Sequence, residues 1–167
     1  DSLAQTQVGK NVLSQLPQDQ NFRIANSAEN KVGYDYGIAA SYRMDNKEFL
    51  IFPWIMEKSP QQVPLMMLHE GVHRVQELSG KMSYQETSSP YVYSLGNQLI
   101  EAEAVAAELE LLREKPEFMP QGELVNGRDN LAPFYNQMWQ KNYDNCQDAS
   151  KATQMTQKQF IKKTYKQ

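Results

Sequence analysis

The chain holds two histidines, and they stand four residues apart with a glutamate directly after the first, as His69-Glu70-Gly71-Val72-His73. Two residues four apart on a helix project from one face, a turn apart, so their imidazoles can share one ion. Zinc takes neutral imidazole nitrogens at about 2 Å, which this spacing allows. Glu70 points about 100° further round the helix, where it reaches a metal-bound water instead of the metal and can act as general base. The plain alternative is two ordinary histidines beside an ordinary glutamate. With only two histidines in 167 residues, that pattern arises by chance on the order of one time in a thousand, which favours a metal site.

Both histidines are then used, and the remaining protein ligand must be a carboxylate or, failing that, Cys146. The place to look is Leu99-Ile100-Glu101-Ala102-Glu103-Ala104-Val105-Ala106-Ala107-Glu108-Leu109, where small residues would let a second helix approach the histidines closely. Glu101 and Glu103 lie about 200° apart on a helix, so only one of them can face the ion. Periodicity does not choose between them. Glu108 and Glu110 are expected to be solvent-facing carboxylates.

His69-Glu70-x-x-His73 followed by Glu101-x-x-Ala104 resembles the gluzincin pattern of zinc metallopeptidases, and is similar to small bacterial metallopeptidase domains with a Glu-Ala-acidic-Ala run at this point. The resemblance spans residues 37 to 112. It implies a zincin-like fold, a Zn2+ cofactor held by His69, His73 and Glu101, and hydrolysis of a peptide or protein substrate through a metal-bound water with Glu70 as general base. It also implies an exposed strand ahead of the motif helix, here residues 48 to 52, to which an extended substrate adds. Position 105 is Val where the family often has Asp, Asn or Glu, which removes a partner for a ligand histidine. Such sites usually add a donor for the developing oxyanion; Tyr91, Tyr93, Tyr135 and Tyr143 are candidates, and Trp54 and Met56 could line the cleft. The competing functions are a catalytically silent binding module braced by zinc, and a helical interaction domain with a chance motif.

These residues need elements to hold them. Leu3, Val8, Val12, Leu13 and Leu16 predict a first helix over 2 to 16, ended by Pro17. Residues 22 to 25 and 34 to 42 favour strand, and Asp45-Asn46 turns a hairpin of 39 to 44 against 47 to 52, closed by Pro53. Ser59-Pro60 opens the motif helix, which runs to Ser79 with Gly80 as its stop; Pro64 moves its regular start towards Val63. Ser89-Pro90 opens a long helix to Glu114, with Val92, Leu95, Leu99, Ala102, Ala106 and Leu109 on one face. A loop carrying Pro116, Pro120, Gly122 and Gly127 leads to helices over 129 to 144 and 148 to 165. The expected architecture is α+β and mostly helical, a single domain over 1–167 with a small antiparallel sheet before the HExxH helix.

Bulk properties exclude other classes. A formal net charge of -3 offers no basic face for nucleic acid, and the lysines near the C-terminus read as a solvated helix end. One cysteine forms no intrachain disulfide. No apolar run approaches the length of a membrane span, so the chain is expected to be soluble. Its start at Asp1 is compatible with a processed periplasmic or secreted form or with an excised domain. Oligomeric state is not legible.

Overall fold

A computed structural model describes residues 3–82, 90–119 and 128–164, with backbone alone for 90–95 and 128–129. A 3-10 turn at Leu3–Gln5 precedes helix α1, Gln7–Leu13. The Thr6 side chain accepts the Gly9 N–H and so marks the helix start. This first helix is therefore shorter than 2 to 16. Strand β1, Asn21–Ile24, follows.

Helix α2, Ser27–Tyr36, corrects the strand expectation for residues 34 and onward. Local chemistry decides it. Asn26 and Glu29 form a reciprocal capping box, and Gly37 ends the helix at φ 68, a left-handed conformation that glycine adopts at little cost. Strands β2, Ala40–Arg43, and β3, Glu48–Ile51, form the expected hairpin. Pro53 does end the strand, but it also occupies the first turn of a short helix α3, Pro53–Lys58.

The sheet order is β1-β3-β2, with β1 parallel and β2 antiparallel to the central β3. The antiparallel pair thus gains a parallel third strand, and the small sheet is mixed. Helix α2 supplies part of the crossover and ties back to β1: Arg23 bridges Glu29 at 2.8 and 2.9 Å and Glu48 at 3.1 Å. On the other face Phe22, Phe49 and Tyr42 stack across the three strands at about 5 Å.

A 3-10 turn at Pro60–Gln62 precedes helix α4, Val63–Leu78, which carries the histidines. Pro60 and Pro64 together explain that start, since each removes an N–H only where a first turn leaves it unused. Helix α5, Pro90–Glu114, has the expected bounds. Helices α6, Arg128–Cys146, and α7, Ala149–Thr164, complete the fold. The architecture is α+β and mostly helical, and no helix among the described residues is long and apolar enough to cross a membrane.

Helix α5 runs through the middle. Ala104, Ala106, Ala107, Leu109, Leu111 and Leu112 are all buried, joined in one cluster or beside it by Val8, Val12, Leu65, Leu68, Tyr135 and Phe160. Of its predicted face, Ala102, Ala106 and Leu109 are buried, Leu99 is exposed, and the side chains of Val92 and Leu95 lie outside the described residues. Burial here goes round the helix instead of following one stripe, because neighbours surround it. At its end, Glu114 accepts the Gln7 and Val8 N–H groups at 2.7 and 3.2 Å, placing a carboxylate at the positive end of α1. A second cluster of Ala25, Ala39, Leu50, Phe52, Trp54 and Ile55 anchors the sheet.

Candidate metal centre

Helices α4 and α5 pack antiparallel, so the beginning of one meets the end of the other. Leu65 and Leu68 fix α4 in the core. Gly71, between the histidines, lets α1 approach: a Cβ there would come within 2.9 Å of Val12 Cγ1. His69 and His73 then turn their rings towards α5, edge to face, with centroids 4.6 Å apart. Their Nε2 atoms are 3.0 Å apart, and Glu101 Oε2 and Oε1 lie 3.3 and 3.5 Å from the two nitrogens. One donor atom from each residue fits within 4.8 Å.

Bonds of about 2.0–2.1 Å in a tetrahedral arrangement separate neighbouring donors by about 3.3 Å, and the three observed separations bracket that value. The hydrogen-bond network decides what these atoms present. Gln76 gives its amide nitrogen to Ile100 C=O at 3.0 Å and to Glu103 at 2.9 Å, so its oxygen faces His73 Nδ1 at 3.0 Å. That nitrogen must donate, leaving a lone pair on His73 Nε2. His69 Nδ1 lies 2.5 Å from Glu108 and donates to it. Two imidazole nitrogens and a carboxylate therefore converge, an electron-rich trio that calls for a positive charge among them. A proton on His69 meets part of this demand. Burial alone would lower its pKa, but bonds to Glu101 and Glu108, with the charges of Glu108 and Glu70, push it up to about 10. A divalent cation would meet the demand fully, and the donor set of two histidines and a carboxylate fits zinc. Glu101 has a side chain 60 % exposed, against 15 % for His69, so the cluster opens to solvent on the Glu101 side.

Glu70 leaves this trio and accepts the Tyr42 backbone N–H at 2.6 Å. Phe52 N–H bonds to Ala39 C=O, and Ala40 and Tyr42 stand opposite Ile51 and Phe49, so by alternation Ala40 and Tyr42 direct their backbone groups away from β3. Strand β2 is the sheet edge beside the motif helix. The expectation that residues 48 to 52 form that edge is wrong: β3 is paired on both sides. The hairpin puts the earlier strand outside because β1 takes the other flank of β3. Tyr42 also ties β2 to α4 through its hydroxyl, which donates to Glu77 at 2.5 Å. Burial and that bond push the phenol up to about 12. Arg74 pairs with Glu77, reaches Gln20 at 3.0 Å and lies over the Tyr42 ring.

The structure thus brings together His69, His73 and Glu101 and sets the Glu70 carboxylate against the neighbouring strand β2. Glu103 is drawn elsewhere, to Gln76 and to Lys81 at 2.9 and 3.0 Å. Cys146 sits at the end of α6, its thiol donating to Asp148 C=O. Tyr135 is buried with its hydroxyl on Glu110, and Tyr143 stacks on Trp139 at 5.1 Å. The side chains of Tyr91 and Tyr93 lie outside the described residues. Trp54 is a core residue bonded to Ile38 C=O, and Met56 is exposed.

Glu108 and Glu110 are corrections. Both are buried, Glu108 against His69 and Glu110 against Arg113, Tyr135 and Thr153. Their burial follows from the central place of α5, which a one-face reading misses. A usable signal was present for Glu108: seven residues return to within about 20° on a helix, so it shares the face of Glu101. Gln76 stands in the same relation to His69. Comparison with protein-family models, curated proteins and solved structures found no match for the chain.

Proposed function

We propose that the protein is a zinc-dependent peptidase of gluzincin type, with His69, His73 and Glu101 as metal ligands and Glu70 as general base. The observation that carries this reading is the convergence of three ligand atoms in a half-open site with a separate carboxylate held at a sheet edge beside them. A zinc ion bound there would lower the pKa of its water towards about 7 and polarise the scissile carbonyl.

The chain's own residues do the rest. An extended peptide adds to β2 at the outward backbone groups of Ala40 and at the Tyr42 C=O, the Tyr42 N–H being held by Glu70, and is thereby aligned across α4. Glu70 is aimed by the Tyr42 N–H, and it takes the proton of the attacking water on its carboxylate and passes it to the leaving amine. The Arg74, Glu77 and Tyr42 contacts keep β2 and α4 in register, so the base and the bound peptide stay at a constant separation. The same bridging between α4 and α5 would also suit a silent, zinc-braced module.

One experiment separates these. Protein purified without chelator should carry one zinc per chain and hydrolyse members of a broad peptide library. Glu70→Gln should keep the zinc and lose at least about a hundredfold in rate, the usual share of a general base. Absence of stoichiometric zinc, or hydrolysis unchanged in Glu70→Gln, would sink the peptidase. Zinc retained with no hydrolysis in either form, and a melting temperature lowered by His69→Ala, would leave the brace.

A further inference from the structure

We propose that Glu108 is a positioning residue for this centre: a wholly buried carboxylate that fixes His69 in its Nδ1–H form and adds negative charge to the imidazole whose Nε2 meets the metal. The proposal rests on the zinc-site reading above, but it concerns a residue outside the ligand set.

Three observations carry it. First, the geometry is specific. Glu108 Oε1 lies 2.5 Å from His69 Nδ1, on the side of the ring opposite Nε2, and its side chain is 0 % exposed. Second, helix α5 holds His69 from both sides. Glu101 reaches Nε2 at 3.3 Å, and Glu108, two turns on and on the same face, reaches Nδ1. Position 105, one turn on, is Val packed against the core and offers no acceptor, so the longer reach from 108 supplies it. Third, the two histidines are treated differently. His73 Nδ1 meets the neutral Gln76 amide, itself fixed by Ile100 C=O and by Glu103, which also holds Lys81. Among the described residues only His69 has a carboxylate at its Nδ1.

That difference has a chemical consequence. A carboxylate moved out of water is costly unless positive charge stands near it, and the 2.5 Å contact sets Glu108 against a ring that a bound metal would make more positive. A metal held at Nε2 would therefore be stabilised through the ring by the charge on Glu108, which would make His69 a stronger donor than His73. Outer partners of this kind are typically worth about 10–100-fold in metal affinity.

The test is zinc competition against a chromophoric chelator, together with the visible spectrum of the cobalt-substituted protein. Wild type, Glu108→Gln and Glu108→Ala would be compared. Glu108→Gln keeps the acceptor and the shape but removes the charge; it should bind zinc about 10–100-fold more weakly and shift the cobalt bands. Glu108→Ala should lose more. If packing in Glu108→Ala fails, the near-isosteric Gln variant still decides the matter, with its metal-free circular dichroism as the check on folding. A merely structural role would lower the melting temperature equally with and without zinc, whereas positioning shrinks the rise that zinc produces. Wild-type zinc binding with unaltered affinity and cobalt spectrum in Glu108→Gln would overturn the role of Glu108 and leave the peptidase standing. No stoichiometric zinc in wild type would overturn both.

Discussion

Zinc should stabilise this fold, and the carboxylate that carries the effect should be Glu101 and not Glu103. A ligand that binds only the folded state adds RT ln(1 + [L]/Kd), about 4.1 kcal/mol at a free zinc concentration of about 1,000 times Kd. Unfolding entropy of about 2.1 cal/mol/K per residue gives about 0.35 kcal/mol/K for 167 residues. The expected rise in melting temperature is therefore about 12 °C. In Glu101→Gln, loss of one of three ligands from 3.3 and 3.5 Å contacts with both histidines should weaken binding by about 100-fold, leaving about 1.4 kcal/mol, or about 4 °C, at the same zinc concentration. Among the described residues Glu103 touches the site only through Gln76, so Glu103→Gln, even at a tenfold loss, should keep about 8 °C. The assay is differential scanning calorimetry of each protein with chelator and with buffered zinc. A wild type that melts at one temperature in both conditions would refute the reasoning, as would a Glu103→Gln response smaller than that of Glu101→Gln.

Two further outcomes test the surroundings of the site. Glu110 is buried and accepts from Arg113 at 2.7 and 3.1 Å, Tyr135 at 3.1 Å and Thr153 at 2.8 Å; Glu110→Ala strands those donors and should cost about 3–5 kcal/mol, seen as a shift in the urea midpoint, with Glu110→Gln costing less. Glu29 is held down to about 2 from its ordinary 4.5 by its bonds to Arg23 and to the Asn26 N–H. Its charged form is the one that stabilises, so its contribution is complete above about pH 4.5 and is lost as the pH falls through about 2. The melting-temperature gap between wild type and Glu29→Gln should therefore be constant near neutrality and close over that acid window; a gap that instead widens on acidification contradicts the assignment.

Much of the architecture was legible because its signals are local. Ser89-Pro90 and the apolar run after it gave α5 its bounds, Pro64 and Gly80 bracketed the regular part of α4, and Asp45-Asn46 turned the hairpin. Helix α2 escaped because aromatic residues such as Tyr34 and Tyr36 read as strand formers, while the capping box from Asn26 to Glu29 and the stop at Gly37 outweighed them. The pairing of β1 with β3 depends on a contact between residues far apart in the chain, and no local pattern contains it.

The candidate site divides along the same line. His69, Glu70 and His73 are legible from sequence alone, because helix geometry fixes the relation of residues one turn apart. The sequence also holds no third histidine, which leaves a carboxylate or Cys146 as the candidates for a third ligand. Which carboxylate comes near both imidazoles, and what stands behind each of them, was decided by tertiary structure: the antiparallel approach of α5 to α4 brings Glu101 to both Nε2 atoms, sends Glu103 to Lys81 and buries Glu108 against His69. The edge strand that holds Glu70 was likewise decided by the order of the sheet. The physical reason is range. Spacing along one helix determines directions on that helix, whereas a charge is buried or exposed, and a ligand in or out of reach, only through the elements packed around it.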